Sequence, residues 1–254
     1  MNRRKLYTSM LLAIILVLAV GLFSATEWNK YRQNNTPGQQ NKEVKNNEIT
    51  KIKTDKDSKQ KYLQINRQLT ALLPDKENYK WIYNGFAEYG HTMVLKSINK
   101  SAKETIYITE GTVEDVSGGE AGKEPGYYNL GIKYTVREGV LYQIKNEQAM
   151  MDSIFDTIEL IRAPLNKNNK WIQNLTDKSG KKYVVECEIT DIGQENNLKV
   201  YTVSYKDTGS DYYEIRKIME GTGVISFAKQ WEDQDNNQFE IGYSLYSEAS
   251  GYYK

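Results

Sequence analysis

The stretch Asn129-Leu-Gly-Ile-Lys-Tyr-Thr-Val-Arg-Glu-Gly-Val-Leu-Tyr-Gln-Ile144 decides the fold class. Leu130, Ile132, Tyr134 and Val136 alternate with Gly131, Lys133 and Thr135, the period of a strand with one buried face. Arg137-Glu138-Gly139 then reverses the chain, and Val140, Tyr142 and Ile144 resume the alternation as the apolar set of a second strand. The pair reads as a β-hairpin.

The same pattern runs to the C-terminus. Val185, Cys187 and Ile189 share a face, Asn196-Asn197 turns, and Lys199 to Tyr205 alternates. Asp207 to Asp211 turns again, Tyr213, Ile215 and Lys217 lead to Glu220-Gly-Thr-Gly223, and Ile225, Phe227 and Trp231 follow. Phe239, Ile241, Tyr243 and Leu245 form the last set. Helical spacing occurs before the strands, where Tyr62, Ile65, Leu69 and Leu72 fall at steps of three and four and Pro74 ends the pattern. Glu147 to Phe155 reads as a helical turn with Met151, Ile154 and Phe155 inward, before Ile158-Glu-Leu160 resumes a strand.

An internal echo adds to the architecture. Leu73-Pro-Asp-Lys-Glu-Asn-Tyr-Lys-Trp81-Ile82 matches Ala163-Pro-Leu-Asn-Lys-Asn-Asn-Lys-Trp171-Ile172 at Pro, Asn, Lys, Trp and Ile. The expectation is a mainly β, antiparallel meander of two related β units, residues 72–160 and 163–254, each opened by a Pro-led loop and a buried Trp. One or two short helices and an N-terminal transmembrane helix complete it.

That transmembrane helix is read from Leu6 to Ala25, twenty residues without a charge behind Arg3-Arg4-Lys5. Within it, ten Leu, Ile, Val or Phe side chains between Met10 and Phe23 favour insertion by about 3–6 kcal/mol. The basic trio stays inside, so the C-terminal part faces outward. Phe23 or Leu22 at the −3 position disfavours cleavage, so residues 1–28 are expected to be a stub and a retained anchor; cleavage would make the protein secreted. No cysteine follows the run to accept lipid. Residues 29–57 are polar and charged and read as a disordered linker to an extracytoplasmic β-domain, residues 58–254. The wealth of Asn, Lys, Ile and Tyr points to a Gram-positive source.

Composition narrows the chemistry. The net charge is +1, which argues against a nucleic-acid partner, and the single cysteine, Cys187, precludes an intrachain disulfide. His91 is the only histidine, so neither a triad nor a zinc site has its usual residues, and no cofactor, metal or catalytic residue is expected. Cys187 reads as a packed core residue. Ser117 to Gly126 is glycine-rich without a phosphate-loop signature, and Glu110, Glu114, Asp115, Glu120 and Glu124 around it match no calcium loop. The turn Glu88-Tyr89-Gly90-His91 sets a carboxylate, a phenol and the imidazole together, and these three residues are the candidate binding site.

Trp81-Ile-Tyr83, Gly85-Phe-Ala-Glu-Tyr-Gly-His91, Ala163-Pro-Leu165 with Trp171, and Tyr212-Tyr213 running to Gly221-Thr-Gly-Val224 resemble exported or tethered Firmicute β-domain proteins of unknown function. The resemblance spans residues 72–230 and implies location and fold, not a reaction. The function expected is a non-catalytic binding role in the cell envelope, for a lipid, glycan or protein, with the membrane as a partner through the N-terminal helix. The rival readings are a sensor or regulatory ectodomain of a membrane complex and a carboxylate-dependent envelope hydrolase.

Overall fold

The computed structural model describes residues 64–232 and 238–252. The expected transmembrane helix, the linker and the start of the first helix lie outside the described residues. Among the described residues no helix is long and apolar enough to cross a membrane.

A short helix, α1, at residues 64–70 leads into thirteen strands. These are β1 (Tyr79–Gly85), β2 (Gly90–Lys100), β3 (Glu104–Val113), β4 (Asn129–Arg137), β5 (Val140–Asn146) and β6 (Thr157–Arg162). The second run is β7 (Lys170–Thr176), β8 (Lys182–Glu195), β9 (Leu198–Asp207), β10 (Tyr213–Met219), β11 (Gly223–Glu232) and β12 (Gln238–Leu245), followed by the two-residue β13 (Gly251–Tyr252). The sheet order is β6-β5-β4-β3-β2-β1-β12-β11-β10-β9-β8-β7, with β13 on β1, and the neighbours are antiparallel. Two six-stranded meanders are thus joined at β1–β12 and nearly close a barrel, leaving β6 and β7 facing each other across a seam.

Side chains bridge that seam where a backbone ladder would otherwise run. The Glu159 N–H donates to Gln173 Oε1 at 2.7 Å and Gln173 Nε2 donates to the Glu159 carbonyl at 2.9 Å, so one amide side chain stands in for a peptide group. Asn169 Nδ2 donates to the Arg162 carbonyl at 2.8 Å, and the Tyr205 hydroxyl donates to the Leu160 carbonyl. The edge β6 would otherwise expose these groups unpaired.

Two-residue turns set the registers. Glu138 and Gly139 have φ 51° and 77°, and Asn196 and Asn197 have φ 50° and 65°, the left-handed pair that matches strand twist. Across the first turn Val136 faces Leu141, Tyr134 faces Gln143 and Ile132 faces Lys145. The inward side of β5 is therefore Leu141, Gln143 and Lys145, while Tyr142 and Ile144 look outward, the reverse of the apolar alternation read from the sequence. On β10, likewise, Glu214, Arg216 and Ile218 point inward and Ile215 and Lys217 do not. Residues 147–156 form no helical turn, and Met151 is exposed. There Glu147 accepts from the Met150 N–H at 2.7 Å and Ser153 Oγ from the Phe155 N–H at 3.2 Å, local bonds that compete with helical ones.

Large side chains fill the interior, among them Trp81, Tyr83, Leu95, Phe155, Tyr205 and Phe227. Leu69, Leu72 and Leu73 continue this core beside α1, which is pinned to two turns by Gly139 N–H on Asn66 Oδ1 (2.9 Å) and Gly221 N–H on the Ala71 carbonyl (2.8 Å). This is the near end of the barrel. Antiparallel connectivity puts the β1–β2, β3–β4, β5–β6, β7–β8 and β9–β10 connections at the other, far end.

Candidate functional site

The far end concentrates the polar chemistry of the molecule, and its centre is the segment between β5 and β6. From Glu147 to Asp156 the chain makes no ladder, yet Asp152, Ser153 and Phe155 are buried. The segment plugs the barrel mouth. Phe155 anchors it edge-on against Tyr183 and Tyr212, with ring centroids 5.2 and 5.7 Å away.

Charges meet under the plug. Lys145 Nζ donates to Asp152 Oδ1 and, at 3.1 Å, to the Ser153 carbonyl, and lies 3.6 Å from Glu147 Oε1. Lys229 reaches in from β11 to the Asp152 carbonyl. Lys178 closes the side, 2.6 Å from Glu147 and 3.5 Å from Asp156. Behind them Arg216 pairs with Glu214 at 2.5 Å and lies between the Tyr205 and Phe227 rings, 4.7 and 5.0 Å from their centroids. Tyr212 donates to the other oxygen of Glu214.

Protonation follows from burial and pairing. Burial pushes the Asp152 carboxyl up, more than Lys145 pulls it down. Glu147 feels the same burial, but Lys178, the Met150 N–H and Lys145 together hold it below the usual carboxylate range. Burial alone would lower Arg216, and Glu214 together with Tyr205, Tyr243 and Asp152 outweighs it, so its pKa rises. Burial lowers Lys229, against the attraction of Asp152 and Glu214.

The three residues singled out in the sequence part company here. Glu88 is exposed on the β1–β2 turn, with φ 62°. Tyr89 and His91 enter the barrel beneath the plug. The His91 ring is 1% exposed, stacks on Tyr83 at 4.4 Å and meets Tyr243 edge-on at 4.8 Å. Burial, and then the charge of Lys145, drive its pKa to about 3, so the imidazole is neutral at neutral pH. His91 Nδ1, the Tyr89 hydroxyl and Nη2 of Arg216 have no hydrogen-bond partner; Arg216 itself is 1% exposed and its Nη1 is ion-paired with Glu214. Outside, Phe86 (46% exposed) and Trp231 (42%) flank Phe239 on the rim, with centroids 5.9 and 4.9 Å from it.

The other candidates play different parts. Cys187 lies in the core beside Val185 and Ile189, accepts from Gln173 Nε2 at 3.2 Å, and is pushed up to about 12 by burial, which leaves it a thiol and not a nucleophile. Asp115 organises the glycine-rich loop by accepting from the N–H groups of Ser117 and Gly119, both at 3.0 Å. Glu110 pairs with Lys96 at 3.8 Å. No group of three or more His, Cys, Asp or Glu among the described residues is placed to hold a metal. A separate open groove of about 950 Å³ lies on the outer face of β7–β10, with Ile172 and Ile215 between the Lys170–Glu188 pair, Glu186 and Lys206.

The far-end charges, Lys145, Glu147, Asp152, Glu214, Arg216 and Lys229, were absent from the sequence reading. One signal for them was present: the two-residue turn at Glu138-Gly139 fixes Lys145 on the face of Ile132 and Val136.

The class that fold and site define is an antiparallel β-barrel, sealed along one side by side chains and plugged at one end by a charged segment. Two solved structures are similar to it. One is a presumed exported protein with a YmcC-like fold from Bacteroides fragilis, 12% identical, with TM-score 0.42, the match covering 68% of this chain and 96% of that one. The other is a presumed lipoprotein from Parabacteroides distasonis, 12% identical, with TM-score 0.36 and the same coverage. No family model and no curated protein matches the chain.

Proposed function

We propose that this chain is a membrane-tethered extracytoplasmic binding protein of the cell envelope, acting without catalysis, whose ligand site is the plugged far end of its barrel. One observation carries the site. Buried polar groups in proteins are nearly always hydrogen-bonded, yet His91 Nδ1, the Tyr89 hydroxyl and Nη2 of Arg216 lack partners within one neighbourhood. Such atoms are the ones a bound polar ligand satisfies. Glu88 and the Phe86, Trp231 and Phe239 rings form the outer lip in this reading, while Tyr89 and His91 line the inside.

The tether rests on Arg3-Arg4-Lys5 and the apolar run behind it, with residues 29–57 as spacer. The two six-stranded meanders are, in the same reading, related units of one ancestral pattern, and the matched geometry of Asn78 and Asn168 described below supports it.

The test is retention. Full chain in nanodiscs is incubated with envelope lipids and peptidoglycan fragments, washed, and analysed by mass spectrometry. Unmodified ligand held by the natural chain and released by Tyr89→Ala and Lys229→Met supports the reading. Product accumulating with time, or equal retention by all three proteins, overturns it.

A further inference from the structure

We infer that the far-end chamber is a carboxylate site, and that Asp152 of the plug is its built-in occupant. The inference rests on reading the far end as the ligand site and names the ligand chemistry and its control.

The argument starts from charge. Lys145, Lys229 and Arg216 face Glu147, Glu214 and Asp152, a balanced set. The members are not held alike. Glu214 belongs to a strand and is fixed by Arg216 and Tyr212. Glu147 is tied at the plug's base by Lys178 and the Met150 N–H. Asp152 sits in the middle of the plug, next to exposed Met151, and reaches inward from there to Lys145. If the tip from Met150 to Ile154 withdraws, two carboxylates remain against three cations, Lys145 and Arg216 fully buried and Lys229 half-buried, and the vacancy is one carboxylate in charge and shape. A monoanionic carboxylate fits it; a phosphate dianion brings one charge too many. The unpartnered Nη2 of Arg216 lies behind that vacancy and supplies a donor that Asp152 does not use.

The tip is also held by replaceable bonds. Beyond the Met150 N–H on Glu147, its backbone contacts include the Lys229 ammonium on the Asp152 carbonyl, the Lys145 ammonium on the Ser153 carbonyl and a 3.4 Å bond from the Ile154 N–H to the Tyr212 hydroxyl. An incoming carboxylate competes for the same two ammonium groups.

The test uses the full chain and acetate, a monoanion that carries the carboxylate Asp152→Ala removes. Asp152→Ala is expected to melt several degrees lower than the natural chain, to regain most of that shift in acetate, and to regain none in acetamide or in chloride of equal ionic strength. Inorganic phosphate is the comparison, expected to rescue less than acetate. In the natural chain, acetate is expected to speed hydrogen exchange of the Met151–Ile154 amides several-fold and leave those of β4 unchanged. No rescue, or rescue by acetamide or phosphate as good as by acetate, overturns the carboxylate site. Rescue without faster exchange in the natural chain overturns Asp152 as a displaceable occupant. If Asp152→Ala does not fold, the exchange measurement decides alone. A neutral envelope ligand retained at the far end would overturn this inference and leave the proposed function standing.

Discussion

Asn78 and Asn168 occupy the same place in the two six-stranded runs. Each has φ 67° and stands three residues before a Trp. Each donates its backbone N–H, at 2.8 Å, to a carbonyl of the second strand of its run, Leu95 in β2 and Ile189 in β8. Both acceptors are fully buried, and both directly precede the point where the ladder to the next strand slips register. A left-handed residue thus locks the start of each run onto the bulge of the following hairpin. Asn tolerates that conformation and a β-branched residue does not. Asn78→Val and Asn168→Val are expected to cost about 1–2 kcal/mol each in chemical denaturation, and Gly at either position to be tolerated. A loss at one position with none at the other would contradict their equivalence.

The two tryptophans differ where the asparagines agree. Trp81 Nε1 donates to the Thr222 carbonyl at 2.7 Å, while Trp171 Nε1 is buried without a partner. Both rings are core members, so Ala at either costs on the order of 3–5 kcal/mol. Phe separates them: Trp81→Phe also strands the Thr222 carbonyl and is expected to cost about 1 kcal/mol more than Trp171→Phe. Equal losses in denaturant titrations would argue against a stabilising role for that hydrogen bond.

Gln173 makes two of the hydrogen bonds that bridge the seam. Gln173→Leu keeps the volume but leaves the Glu159 N–H and carbonyl without their partners, a cost of about 2–4 kcal/mol. Exchange of the Glu159 amide should accelerate far more than that of Leu141, inside the backbone ladder. Uniform acceleration would mean that β6 and β7 are held by something other than Gln173.

His91 gives the fold an acid limit. Its folded pKa of about 3 lies below the ordinary 6.5, so between those values the unfolded chain binds a proton that the folded chain refuses. Stability from this group is complete above about pH 6.5 and falls as pH drops toward 3, by up to about 1.4 kcal/mol per pH unit. His91→Phe retains a ring against Tyr83 and removes the titration. Its Tm relative to the natural chain should rise steadily from pH 7 to pH 4; parallel curves would show that another group sets the limit.

Alternation, turns and the Trp-led echo made the antiparallel meander legible in the sequence, because each strand carries its own period and its own turn residues. The inward set was misread wherever a strand hides charge. On β5 the eye follows Val140, Tyr142 and Ile144, but the Glu138-Gly139 turn dictates Leu141, Gln143 and Lys145. On β10 Ile215 looks like core and Arg216 is. A buried Lys or Arg is costly alone and stable only beside a counter-charge, and the counter-charges come from Asp152 on a plug and Glu214 on a strand face, neither of which local periodicity reveals. Tyr89 and His91 were singled out as candidates from the turn they share. Their burial was not, because it depends on a segment some sixty residues further on closing over them.

The central claim is that the far end, under the plug, is where this protein meets its ligand. Hydrogen exchange of the full chain in nanodiscs, with and without the material it retains from envelope lipids and peptidoglycan fragments, tests it most directly. The account predicts that ligand changes exchange in residues 147–156 and in the β1–β2 turn, residues 85–91, with β8 and β9 unaltered. Protection confined to the outer groove of β7–β10, around Ile172 and Lys206, with the plug unchanged, would contradict it.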